Sequence, residues 1–466
     1  MIFDDASRAG KLLSAPVGEP ATFERATGTT KDLSEKFIIK GRNFSRQYAH
    51  IYAERLLTMR AKIAEKASKK WGLPVRKLFE IKADEKCIVV GTLFKHMVLK
   101  PSILREVSEE HYLENVPPSG RYTDESDKLI LEDELQRITL IGNIDVHKMA
   151  TGVVIAVSGH EPEDDRGKFF VEEYCFQDLL PQPSLPSISD DKYICLVSGL
   201  DLGSTSDDLL RLQMMVDLLT GQLGDEGQQE ASSKVVQVLI AGNLLSKKTQ
   251  DKDNLMKAKY LTKKTVAGTV EAVKQVDDFL VQLASCVDVT VMPGEFDPTN
   301  YTLPQQPLHK CMFPQTNVFS TLRMASNPYE CDVEGIRLLG TSGQPVDDIY
   351  KFSQLDDRLE ILENTLKWGH LAPTAPDTIG CYPYHADEPF VVKETPHIYF
   401  TGNQPSFQSK VLSGDEGQKV LLVTVPSFSK TGTCVLVNLK SLHCEPLVFQ
   451  ASFPQDDSKA SPDVDK

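Results

Sequence analysis

The sequence predicts two folded domains of different class: a helix leading into a small closed β-barrel, followed by an α/β sandwich. Three observations predict it. Residues 44–71 carry an apolar stripe at helical spacing, residues 86–180 switch to short runs rich in β-branched and aromatic side chains, and beyond residue 191 strand-like and helix-like runs alternate. The chain has 466 residues, 25% charged and 41% hydrophobic, which leaves room for well-buried cores and excludes wholesale disorder. Lys and Arg number 51 against 66 Asp and Glu, a net charge of -15. Such a chain repels a polyanion unless its bases gather on one face.

The first forty residues are polar and mixed, with a Pro/Gly patch at PVGEP, and read as a flexible arm, 1–40. In FSRQYAHIYAERLLTMRAKIAEKASKKWG, the apolar Phe44, Tyr48, Ile51, Tyr52, Leu56, Met59 and Ile63 recur at three- and four-residue steps, while Arg46, Glu54, Arg60 and Lys62 fall elsewhere around the wheel. Gly72 and Pro74 end that helix. The runs KCIVVGTLFKHMVL, LILEDELQRITLIGNIDV, TGVVIAVSGHE and GKFFVEEYCFQDL then read as strands, the last two joined as a hairpin by EPEDDRG. Short strands, several with a glycine, closing on a hairpin predict a barrel of the oligonucleotide-binding type, the OB fold. The polar segment 101–127 is expected as a surface insert, and PQPSLPSISDD, 181–191, as the linker between domains. Helix and barrel thus occupy 41–182, and the α/β domain 190–452.

Within that domain, KYICLVSGLDL, VVQVLIAGNLL and VDVTVMPGEFD read as buried strands, and DDLLRLQMMVDLLTGQL and TVEAVKQVDDFLVQLASC as the helices between them. Further strands are expected at GIRLLG and HIYFTGN, a helix at LDDRLEILENTLKWG, and a closing hairpin of KVLLVTVPSF with GTCVLVNL. Residues 453–466 read as a polar tail. No apolar run approaches the ~20 residues that span a bilayer, and the acidic start MIFDDASRAGKLLSAP lacks the form of a signal peptide. The nine cysteines are scattered from Cys87 to Cys444 without the spacing of a zinc or redox pair, so buried, reduced thiols in an intracellular protein are expected.

Open α/β sheets place their sites at the carboxyl ends of strands. Four such ends read SGLDLGS, AGNLLS, MPGEFDP and FTGNQPSF. Singly, PGEF and GNQP could be mere tight turns. In order, they resemble the calcineurin-like metallophosphoesterases, whose strand ends carry Asp-x-His, Gly-Asp, Gly-Asn-His-Asp and Gly-His-x-His around two metals. Laid residue by residue on that pattern, Gly199 and Asp201 stand at the first Asp and its His, and Asn243 at the second-motif Asp. Glu295 and Phe296 replace Asn and His, Asp297 remains, and Asn403 and Pro405 replace the last two histidines. The resemblance implies a phosphoesterase fold with a degenerate centre, no bound metal and no cofactor, because glycine, phenylalanine and proline offer no ligand.

An OB barrel followed by such a domain is similar to the B-subunit family of replicative DNA polymerases. Longer stretches carry the resemblance as well, among them FSRQYAHIYAERL, PSILREVSEEH, AKYLTKKT, MPGEFDPTNYTLPQQPLH and PTAPDTIGCYP. It implies a non-catalytic nuclear scaffold for DNA replication and repair. The partners it implies are the cysteine-rich C-terminal domain of the polymerase catalytic subunit, a third subunit that carries the sliding-clamp contact, a small fourth subunit, and a translesion polymerase that shares the chain. No membrane contact is implied, and direct DNA contact weak at most. The competing enzymatic reading is a phosphodiesterase or nuclease with a single-metal site of Asp201, Asn243, Glu295 and Asp297.

Three weaker features have bland readings that weigh more. The stretch from Ala241 to Lys264 holds seven lysines and two aspartates, and a solvated face is expected there rather than a DNA contact, since Tyr260 is its only aromatic residue. Phe94, Tyr174 and Phe176 could stack bases, but a barrel needs such residues for packing, and the acidic Glu172, Glu173 and Asp178 lie beside them. His309 and His397 are expected as structural histidines.

Overall fold

The computed structural model describes residues 22–41, 43–45, 47–101, 120–204, 209–250, 268–384 and 387–450. The arm is the first departure from expectation, because its second half is docked. Strand β1 (Thr30–Asp32) pairs antiparallel with a strand 300 residues on, the Ser34 hydroxyl donates to Glu330 O at 2.9 Å, and Phe37 is fully buried. Arg25 donates to three carbonyls, those of Leu219, Ser232 and Val235. Polar composition did not prevent this, because the pairing uses the backbone.

Helix α1 (Ala49–Trp71) begins five residues later than the apolar stripe suggests. Phe44 lies outside it, edge-on to Tyr382 at 5.4 Å. Leu56, Met59, Ile63 and Ala67 pack on Ile88, Val90, Val154 and Ala156 of the barrel. Gly72 ends the helix in the left-handed conformation, φ 65°, and donates to Ser68 O.

The barrel comprises β2 (Val75–Arg76), β3 (Cys87–His96), β4 (Lys128–Glu132), β5 (Arg137–Gly142), β6 (Val154–His160) and β7 (Lys168–Cys175). Neighbours run β2-β3-β4-β5-β7-β6, and the β3–β6 pairing closes the sheet as expected. Strand β6 is buried on both faces because α1 covers its outer side. A bulge at Ser158/Gly159 lets β7 approach, and a Cβ at Gly159 would stand 1.9 Å from Phe170 O. Gly159→Ala is expected to cost at least about 2 kcal/mol, read as a lower urea midpoint at unchanged slope. Of the 101–127 insert, residues 102–119 lie outside the described residues.

The second domain is built from β8 (Tyr193–Val197), α2 (Leu209–Leu219), α3 (Glu226–Ser233), β9 (Val235–Ala241), α4 (Gly268–Ala284), β10 (Asp288–Met292), β11 (Leu322–Met324), β12 (Tyr329–Val333), β13 (Ile336–Thr341), α5 (Gln344–Phe352), α6 (Arg358–Trp368), β14 (Ile398–Gln404), β15 (Gln408–Ser413), β16 (Lys419–Pro426), α7 (Phe428–Thr431), β17 (Thr433–Asn438) and β18 (Cys444–Val448). They form two six-stranded sheets, β1-β12-β13-β14-β16-β15 and β11-β10-β9-β8-β17-β18. Between them, Ile194, Leu196 and Leu239 meet Leu338, Phe400 and Val423. Helices α2 and α4 cover the outside of the second sheet. Helices α5 and α6 cover the first, and their core runs unbroken into the barrel through Val89, Leu93, Val153 and Phe169.

The expected closing hairpin does not exist. Strand β16 pairs with β14 and β15 in one sheet, whereas β17 pairs with β8 and β18 in the other. The turn α7 and Gly432, at φ 62°, carry the chain across the sandwich. Helices α3 and α5 were not anticipated. Their signals are present as a capping box from Asp225 to Gln228 and a proline, Pro345, in the first turn of α5. The linker is fastened rather than loose: Gln182 donates to Pro396 O and Lys419 O, and Pro183 O accepts from His397.

Candidate functional site at the strand ends

The four motif loops converge at the carboxyl ends of β8, β9, β10 and β14. Ser198, fully buried, accepts from Asn403 N at 2.8 Å and donates to the carbonyls of Val425 and Pro426. Gly199 has φ 64°, and a Cβ there would come 2.6 Å from Ser427 Oγ and 2.8 Å from Asn403 Oδ1. No ligating side chain fits at 199. Asp201, Asn243 and Asn403 all have positive φ, between 50° and 58°, a conformation that Asp and Asn tolerate best among residues with a Cβ. This turn geometry aims their short side chains inward.

Each is then held by protein. Asp201 Oδ2 accepts from Ser429 Oγ at 2.6 Å and Ser427 Oγ at 3.2 Å. Asn243 Oδ1 accepts from Phe296 N at 3.3 Å. Asn403 Nδ2 donates to Ala241 O and Ser342 O, while its buried Oδ1 has no protein donor among the described residues. Asp297, almost fully buried, accepts from Leu245 N at 3.0 Å and Gly294 N at 2.7 Å. Burial pushes its carboxyl up to about 6 against the downward pull of those N–H groups.

The structure thus brings together Gly199, Asp201, Asn243, Asp297 and Asn403, with Phe296 through its backbone. It does not bring in Glu295 or Pro405. Both are exposed, and Glu295 lines a separate cavity with Tyr301, Gln344 and Asp347. The single-metal grouping that includes Glu295 is therefore not assembled. Nor does the remaining set fit a pair of divalent metals. Two of its four polar side chains are neutral amides, both Asp297 oxygens face backbone donors, and two hydroxyls hold Asp201. Among the described residues no group of three or more His, Cys, Asp or Glu could hold a metal. Sequence reasoning missed Ser198, Ser342, Ser427 and Ser429, whose hydroxyls fill the space. A serine after a strand carries no distinguishing signal.

His309, His397, Tyr174 and Phe176 take the structural roles expected of them, whereas Phe94 stands outside the hydrophobic clusters. His397 accepts from Arg337 N and donates to Pro183 O, and His309 caps Cys311 N. Tyr174 and Phe176 pack against the shared core, Phe176 edge-on to Trp368 at 6.2 Å, and Phe94 is half-buried. All nine cysteines are unpaired and seven are buried. No helix among the described residues is long and apolar enough to cross a membrane. Of the lysine-rich stretch, residues 251–264 lie outside the described residues.

Comparison with known proteins agrees with this two-domain layout. The family model for the DNA polymerase delta subunit OB-fold domain matches residues 47–174, and the family model for the DNA polymerase alpha/epsilon B-subunit matches residues 194–409. The DNA polymerase delta small subunit of Oryza sativa subsp. japonica is 42% identical over 432 residues, covering 92% of this chain and 99% of that one. DNA polymerase delta subunit 2 of Drosophila melanogaster is 41% identical over 423 residues, 90% of this chain and 97% of that one. The Saccharomyces cerevisiae small subunit is 32% identical over 458 residues, covering 87% and 90%. Identity at this level, along nearly the whole length of relatives as far apart as a plant, an insect and a yeast, places the chain in the DNA polymerase delta small-subunit family.

Proposed function

We propose that the chain is a non-catalytic accessory subunit of DNA polymerase delta, acting in the nucleus in replication and repair. It ties the cysteine-rich C-terminal domain of the catalytic subunit to the third, clamp-binding subunit, with the small fourth subunit in the same assembly, and serves translesion polymerase zeta in the same way. The strand-end loops are read as a phosphoesterase centre that has lost its metals, with Gly199, Asp201, Asn243, Glu295, Phe296, Asp297, Asn403 and Pro405 at the former ligand and neighbouring positions.

The observation that carries this reading is the bonding of those loops. Most of their polar groups are spent on one another, Asn403 Oδ1 and the outward-facing Glu295 excepted, so the fold keeps its shape without a ligand set for two metals, and shape is what a scaffold needs. An obligate interface of this kind should be large and apolar at its centre. Co-expression with the C-terminal domain of the catalytic subunit is expected to give a complex that survives gel filtration. Separate elution of the two would overturn the scaffold role, and manganese-dependent hydrolysis of a phosphodiester that Asp201→Asn abolishes would overturn the non-catalytic one.

A further inference from the structure

Strand β15 (Gln408–Ser413) is an outer strand of the first sheet and, among the described strands, pairs with β16 alone. Gly414 N donates to Gln418 O across the hairpin turn, and Gln408 N donates to Thr424 Oγ1. Since bonded pairs alternate along an antiparallel ladder, Lys410 and Leu412 also turn their backbone toward β16, and Ser409, Val411 and Ser413 turn theirs outward. The N–H and C=O groups of those three meet no partner among the described residues. All three residues are exposed.

Proteins shorten, blunt or cover such edges, because a row of free donors and acceptors takes up another strand. The other outer strands of the sandwich conform: β1 and β11 have three residues each, and β18 carries Pro446 at its centre. Strand β15 has six residues and no proline, and its lysine, Lys410, is turned onto Glu363 of α6 at 2.7 Å. Beside it lies a groove of about 610 Å³ whose apolar lining is Pro181, Pro183, Leu185, Val411 and Leu442, with Leu185 and Val411 exposed. At the opposite edge of the same sheet, β1 already docks through its backbone. We infer that β15 is a docking edge for an extended segment of another subunit, which pairs with it backbone to backbone and sends apolar side chains at alternate positions into the groove. A second copy of this chain is the poorer occupant, because a net charge of -15 on each opposes their approach. The source of the strand rests on the scaffold role proposed above.

Amide hydrogen exchange of the full chain, alone and co-expressed with the catalytic and third subunits, tests the inference. The amides of Ser409, Val411 and Ser413 are expected to exchange at least tenfold more slowly in the assembly. Val411→Pro removes an outward N–H at a position where an edge strand accepts proline, and should weaken the hold on one subunit at least tenfold. Val411→Lys leaves every backbone bond in place and puts a charge over the groove; it should act in the same direction even if the proline loosens β15. The control Val448→Lys, on the blunted edge β18, should change the affinity less than twofold. An assembly in which residues 409–413 exchange as fast as in the free chain, or which both Val411 variants join as tightly as the wild type, overturns the docking edge and leaves the scaffold standing. Failure of any assembly to form overturns both. Slowed exchange that appears in the free chain as its concentration rises makes a second copy the occupant, and overturns the assignment to another subunit.

Discussion

Replacing Arg55 by leucine is expected to lower the stability of the chain by about 3–5 kcal/mol, the usual cost of leaving a buried charge without its partner. Arg55 and Glu388 have fully buried side chains, and all five guanidinium N–H groups are used. Nε and Nη2 reach Glu388, Nη1 donates to Gly152 O at 3.0 Å and Pro373 O at 2.7 Å, and Nη2 also donates to Ala375 O at 2.7 Å. One side chain of α1 thus ties the barrel, through Gly152, to the α/β domain. Gly152 itself has φ 86°, and a Cβ there would stand 1.9 Å from Pro373 O, so the two domains meet backbone to backbone at this point. Urea unfolding should show the loss as a lower midpoint, or as two transitions if the domains come apart. The double variant Arg55→Leu with Glu388→Leu should be less destabilised than the sum of the singles, because the second change removes the stranded carboxylate. Strict additivity would show that the pair is not coupled.

The helix carrying Arg55 was legible in the sequence because its apolar stripe repeats, and Arg55 stands four residues after Ile51 and four before Met59, on the buried face. Its partner was not legible, since Glu388 lies 333 positions away in a segment without periodicity. Barrel strands announced themselves by β-branched runs. The error at β16 and β17 has the same root as that success: strands buried on both faces show no alternation, so nothing in the runs tells which sheet each enters. Strand β1 was invisible for the opposite reason, as a three-residue edge strand needs only backbone. At the site, the motif order located the loops correctly. Orientation was beyond it: the neighbours Glu295, Phe296 and Asp297 point to three different places, decided by the turn and by the donors at Leu245 and Gly294.

Acidification should weaken the same interdomain lock through His370. Its Nδ1 accepts from Ala372 N at 3.1 Å, so the proton of the neutral ring sits on Nε2 and is donated to Glu388 Oε1 at 2.9 Å. A second proton would have to displace the Ala372 N–H. Burial, with Arg55 adding to it, brings the imidazole from 6.5 down to about 4. The unfolded chain therefore takes up this proton near pH 6.5 and the folded chain only near pH 4. Between those values the unfolded state holds more protons, and stability falls as pH falls, by about 3 kcal/mol in all. Below that window Glu388 adds its own loss: burial alone would raise it, but Arg55 and His370 hold it at about 2, so its stabilisation disappears from pH 4.5 downward. Asp297 and Asp347 work the other way. Burial raises both to about 6, and the folded state gains as they protonate between pH 6 and 3.8. The net curve thus mixes signs, and the informative quantity is the difference between the wild type and His370→Gln. Glutamine can donate to Glu388 and accept from Ala372 without titrating. Its deficit, measured by urea unfolding at pH 7.5, 6.5, 5.5 and 5.0, should shrink steadily toward the acid end, whereas parallel curves would mean that His370 does not carry the pH dependence.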